Sequence, residues 1–249
     1  MPLSKSRSLA IAAVFALAGW ACSANADSIP PPPLTANQIV TQMLHHNQAR
    51  DEQLRHYQST RHYQVQYKGF STSIVAAMDV DFQFDAATGK SYRIVSRSGS
   101  KFLCDKVLKR AVDSEIEASR DKSSTALSSA NYTFQLLGIE NLSGRPAFIL
   151  DVAPIAPSKF LYKGKVWVDA ADFAVVKIEA SPARNPSVWI SRTLIDFKNE
   201  KTGDFWLPAQ NRSETKVRIG GTAVLTIDYG AYRVVPEATV ASSLVTTRR

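Results

Sequence analysis

From Ile74 to Phe84 the chain alternates apolar and polar residues. Ile74, Ala76, Met78, Val80, Phe82 and Phe84 fall on one side, and Val75, Ala77, Asp79, Asp81, Gln83 and Asp85 on the other. A period of two is the mark of an antiparallel strand with one dry and one wet face, so the apolar side needs a cover. Tyr57, Tyr63, Val65 and Tyr67 repeat the pattern in the preceding segment. After the turn signal Thr88-Gly89, Tyr92, Ile94 and Ser96 return it on one face.

The period then changes. Phe102, Leu103, Val107, Leu108, Ala111, Val112 and Ile116 stand at helical spacing between charged residues, predicting an amphipathic helix over Lys101–Arg120. A single helix between two blocks of strands packs most simply across the concave face of the sheet. Further strands are expected at 132–139, 146–152, 160–168, 173–180, 188–197, 205–219 and 222–234, separated by short turns such as Asn141 to Gly144 and Gly220-Gly221. About ten strands in a meander must curl or close. The fold class is therefore mainly β with helices, α+β, in one domain spanning 35–235.

Ahead of the domain, Lys5 and Arg7, the uncharged stretch Leu9 to Ala21 and the small-residue site Ala24-Asn25-Ala26 have the layout of a cleavable secretory signal peptide over residues 1–26. The apolar run is shorter than the roughly 20 residues that span a bilayer. Cys22 suggests lipid attachment instead, but bulky Trp20 fits that processing pattern badly. Cleavage leaves one cysteine, Cys104, and no intramolecular disulfide, so stability comes from the core. Prolines 30–33 predict a stiff arm over 27–34, and Thr35 with Gln38 a capping box starting a helix. Residues 236–249 carry no pattern and are expected to be a flexible tail.

Little points to catalysis. The four histidines, His45, His46, His56 and His62, lie in the first helix and strand, and Cys104 has no histidine near it in sequence. Neither a zinc cluster nor a Cys-His pair is suggested. Asp79, Asp81 and Asp85 are spaced for one strand face, more simply its solvated side than paired catalytic carboxylates. No phosphate loop, G-x-S-x-G elbow or H-E-x-x-H occurs. No cofactor or metal is expected. The formal net charge of +8 falls to +6 when Lys5 and Arg7 leave with the leader, an exported chain meets little nucleic acid, and the densest patch, Lys106, Lys109 and Arg110, reads as a mixed helix face or a site for anionic headgroups.

Several stretches carry a resemblance: Phe82-Gln83-Phe84 with Lys90-Ser91-Tyr92-Arg93; Gly144-Arg145-Pro146-Ala147-Phe148-Ile149-Leu150; Val166-Trp167-Val168-Asp169 with Phe173 to Glu179; and Gly203-Asp204-Phe205-Trp206-Leu207-Pro208. With the order helix, strands, helix, strand meander, the chain resembles the periplasmic lipoprotein carriers and outer-membrane lipoprotein-sorting proteins, the LolA-like family, over most of Thr35 to Val234. The resemblance implies an unclosed β-barrel with helices on its concave side, enclosing a cavity for lipoprotein acyl chains or another lipid. It implies a monomer working with an inner- or outer-membrane receptor. The candidate cavity residues are Tyr63, Val65, Tyr67, Met78, Val80, Phe82, Phe84, Tyr92 and Ile94, and the candidate cover is Phe102, Val107, Leu108 and Val112. A filled core on the same residues, serving an envelope-sensing module that acts through a protein partner, is the alternative.

Overall fold

The computed structural model describes residues 34–158, 160–185, 187–218 and 220–236. The expected leader, most of the proline arm and residues 237–249 of the expected tail lie outside them.

Helix α1 (Ala36–Gln53) begins at the capping box: the Thr35 hydroxyl accepts from the Gln38 N–H, and the Gln38 side chain accepts from the Thr35 N–H at 2.8 Å. It runs into β1 (Leu54–Lys68), followed by β2 (Ser73–Asp85) and β3 (Gly89–Gly99). The covering helix is α2 (Lys101–Leu103), a π-turn (Cys104–Leu108) and α3 (Lys109–Arg120), with a single turn α4 (Lys122–Thr125) beyond it. Then come β4 (Tyr132–Leu142), β5 (Arg145–Pro154), β6 (Tyr162–Asp169), β7 (Val175–Pro182), β8 (Ile190–Thr202), β9 (Phe205–Val217), β10 (Thr222–Tyr229) and β11 (Arg233–Pro236).

All strands join one antiparallel sheet in the order β3-β2-β1-β10-β9-β8-β7-β6-β5-β4, with β11 continuing alongside β1 beyond the end of β10. The path starts at β3 and finishes at β4, so the barrel is unclosed. Residue 236, expected in the tail, is the last residue of β11. Gly99 turns the chain from the sheet edge into the cover: its φ is +76° and a Cβ there would meet the Val75 carbonyl oxygen at 2.2 Å, so only glycine fits.

Two separate cores form on the concave face. Ile39, Val40 and Met43 of α1 pack on Tyr132, Leu150, Val152, Val166 and Val168 of β4–β6. Leu103, Cys104, Leu108 and Val112 of the covering helix pack on Tyr63, Val65, Ala76, Met78, Val80 and Ile227 of β1, β2 and β10. The alternation that predicts strands also decides which residues enter these cores, because a strand buries every second side chain.

Candidate functional site

The covered face of β1–β3 holds the nine candidate cavity residues. Tyr63, Val65, Met78 and Val80 are fully buried beneath the covering helix, with Tyr67, Tyr92 and Ile94 partly buried around them. Phe82 and Phe84 belong to a second group further along the strands. Tyr57 stacks on both at 6.5 and 5.3 Å between ring centroids, and Tyr232 meets Tyr57 edge-on. The helix's own side chains occupy the space above Tyr63 and Met78, so this state has a packed face there.

Three of the four candidate covering residues, Val107, Leu108 and Val112, face the sheet, with Val107 partly buried. Phe102 does not: it is 68% exposed, and Leu103 and Cys104 are buried instead. The helix is irregular here. Leu103 lies directly before the π-turn and Leu108 ends it, and both point to the sheet while Phe102 points to solvent. Cys104 Sγ sits 3.5 Å from the Ser98 carbonyl oxygen as a buried packing thiol.

Ser96 is a second correction. It was expected beside Tyr92 and Ile94, but Val80 pairs with Ile94 and Asp79 with Ser96, leaving Val95 as a bulge. The extra residue moves Ser96 to the outer face, where its hydroxyl donates to Asp79 at 2.5 Å while His62 Nδ1 contacts the same carboxylate at 2.7 Å. These two hydrogen bonds, Ser96 first, hold the Asp79 carboxyl below the ordinary carboxylate range. Asp79 stands between Ser96 and His62, so the imidazole does not contact the serine hydroxyl directly. Asp81 pairs with Arg93, and Asp85 accepts from the N–H groups of Ala87 and Thr88 in the β2–β3 turn. Among the described residues no group of three or more His, Cys, Asp or Glu is arranged to hold a metal ion.

The residue that sequence reasoning missed is Arg61. Its side chain is fully buried on the concave face, flat over Phe82 at 3.3 Å from the ring centroid and 4.7 Å from that of Tyr229. Its Nη1 donates to Glu115 of α3 at 2.6 Å, and Lys90 of β3 reaches the other oxygen of Glu115 at 3.0 Å. Burial works against the guanidinium charge, but Glu115 together with the Tyr63 and Tyr229 hydroxyls more than offsets it, so Arg61 stays charged. The same burial pushes the Tyr63 phenol up to about 12. Tyr92 donates to Asp113 at 2.7 Å, Lys109 joins that carboxylate, and Arg97 pairs with Asp105 at 2.9 Å. The cover is thus greasy at its centre and ionic at its margin. The signal was in the sequence: Arg61 has the parity of Tyr57, Tyr63 and Val65, and Glu115 lies three residues beyond Val112 on the helix stripe.

An open antiparallel half-barrel with two helical covers on its concave face is the class this chain defines. No family model and no curated protein sequence matches it. Among solved structures it is similar to a LolA superfamily protein from Nitrosomonas europaea, with 14% identity, a TM-score of 0.39, and 82% of this chain and 94% of that one covered. It is similar to an outer membrane lipoprotein-sorting protein domain from Vibrio parahaemolyticus, with 15% identity, a TM-score of 0.39 and coverage of 78% and 91%. A DUF1329 family protein from Desulfovibrio piger shares 12% identity at a TM-score of 0.40, over 81% and 94%. At these scores the likenesses assign neither family nor function.

Proposed function

We propose that this chain is a non-enzymatic periplasmic binding or carrier protein for a lipoprotein acyl chain or another lipid. The observation that carries the reading is the covered face of β1–β3, whose apolar side chains are sealed by a helix with a polar margin. Lifting the helix exposes Tyr63, Val65, Met78 and Val80 to a ligand, which gains roughly 0.8 kcal/mol per buried CH₂. Opening breaks the Arg61–Glu115 and Tyr92–Asp113 contacts, so binding stays reversible and a membrane receptor can compete for the cargo. The periplasmic location rests on the leader motif in the sequence.

The test is titration with a fluorescent fatty acid and an acylated peptide, read by native mass spectrometry, for wild type and Glu115→Gln. The substitution removes the charge that holds Arg61, shifts the population toward the lifted helix, and raises apparent affinity. If neither protein takes up either ligand, the carrier reading fails.

The packed state of the same face favours a second reading, a regulatory module whose covered sheet is structural and whose outer surface meets a protein. A stoichiometric protein partner recovered from envelope extracts, with no lipid in the native mass spectrum, would replace the first reading with this one.

A further inference from the structure

Four connections leave the same end of the sheet, described at residues 69–72 between β1 and β2, 155–158 and 160–161 between β5 and β6, 183–185 and 187–189 between β7 and β8, and 218 and 220–221 between β9 and β10. The Arg218 N–H donates to the Trp189 carbonyl at 2.8 Å. The Phe70 ring lies so close to Gly220 that a Cβ there would sit 2.2 Å from it. A hollow of about 690 Å³ opens between Ser158, Arg184, Val188 and Arg218.

This end presents large apolar side chains to solvent. Phe70 is 95% exposed, Val188 80%, Trp189 61% and Ile155 59%. Four large apolar side chains exposed together at one end form the kind of patch that marks an interaction site. Its charge has one sign: none of the four connections contains Asp or Glu, while Arg184 and Arg218 are exposed within them and Lys68 and Lys216 stand exposed at the adjoining strand ends. Among the described residues, neither Arg184 nor Arg218 makes an ion pair. Exposed Trp and Phe with unpaired arginines on connections at the same end match a bilayer interface, where rings sit at headgroup level and cations meet anionic phosphates. A protein groove would satisfy the rings but would also have to supply acidic groups for both arginines.

We propose that this loop end is a docking surface for an anionic lipid bilayer, with Phe70 and Trp189 inserting at the interface and Arg184 and Arg218 binding headgroup phosphates. The inference is independent of what the concave face binds. The test is flotation of the protein, exported from a bacterial host, with vesicles of phosphatidylglycerol and phosphatidylethanolamine against vesicles of phosphatidylcholine. The result expected is association with the anionic vesicles that weakens with salt, is ~10-fold lower in Arg184→Glu/Arg218→Glu, and is lost in Phe70→Ser/Trp189→Ser. All four substituted side chains are exposed, and unchanged thermal unfolding confirms intact variants. No association with anionic vesicles, equal association with both vesicle types, or full binding by the intact variants would overturn the proposal. The last outcome would move the contact to another face, such as Lys106 and Arg110 on the covering helix.

Discussion

The two helices that cover the sheet do the same job with different chemistry. Helix α1 meets β4–β6 through Ile39, Val40 and Met43, and its polar anchor lies at its end, where Arg50 donates to the Asp172 and Phe173 carbonyls. The helix over β1–β3 carries a comparable apolar stripe but adds a carboxylate that bridges the buried guanidinium of β1 and Lys90 of β3, and further ion pairs at its margin. Apolar contact grows with area and has no geometric switch. A buried ion pair loses much of its worth when either partner moves. Under the proposed function, the difference assigns α1 the part of fixed wall and the covering helix that of the movable one.

The comparison can be broken first at the fixed wall. Leu150→Ala leaves a cavity under α1 and is expected to lower global stability by about 2–5 kcal/mol in urea unfolding. A much smaller loss would mean that α1 is loosely held too. Glu115→Gln should cost about 1–3 kcal/mol, read as faster amide exchange across Lys101–Arg120 with α1 unchanged; equal acceleration in both helices would make them one cooperative unit. Thr35→Ala removes the N-cap hydroxyl and should cost about 1 kcal/mol, confined to the first turn of α1. The smallest effect at neutral pH is electrostatic. Burial alone would raise the Asp169 carboxyl, but bidentate Arg145 at 2.6 and 2.8 Å, with the Ala171 and Asp172 N–H groups, brings it below the usual range. A lowered folded pKa adds stability above the unfolded value, near 4, and loses it as pH falls through the folded value. Stability should therefore drop below about pH 4 in wild type and less steeply in Asp169→Asn, whose neutral-pH stability is already reduced; parallel acid curves would remove Asp169 from the account.

Much of the strand plan was legible because alternation is local: β1 and β2 follow from parity, and the capping box marks the start of α1 from Thr35 and Gln38. The inserted residues were not legible. The bulge at Val95 adds one residue to the strand period and moves Ser96 to the opposite face, and the π-turn at Cys104–Leu108 interrupts the helical period just after exposed Phe102. Nothing in the local pattern fixes such an insertion, because it is set by contact with the neighbouring element. Arg61 was hidden for a related reason. Its position on the apolar face was readable, but its meaning depends on Glu115, 54 residues away, brought opposite only by folding.

The missing ladder between β3 and β4 has its own consequence. In a closed barrel, strand number and shear fix the bore. Here the two terminal strands are free of one another, so the girth of the sheet follows what lies within it. The helices, rather than the hydrogen-bonded wall, set the width of the concave face.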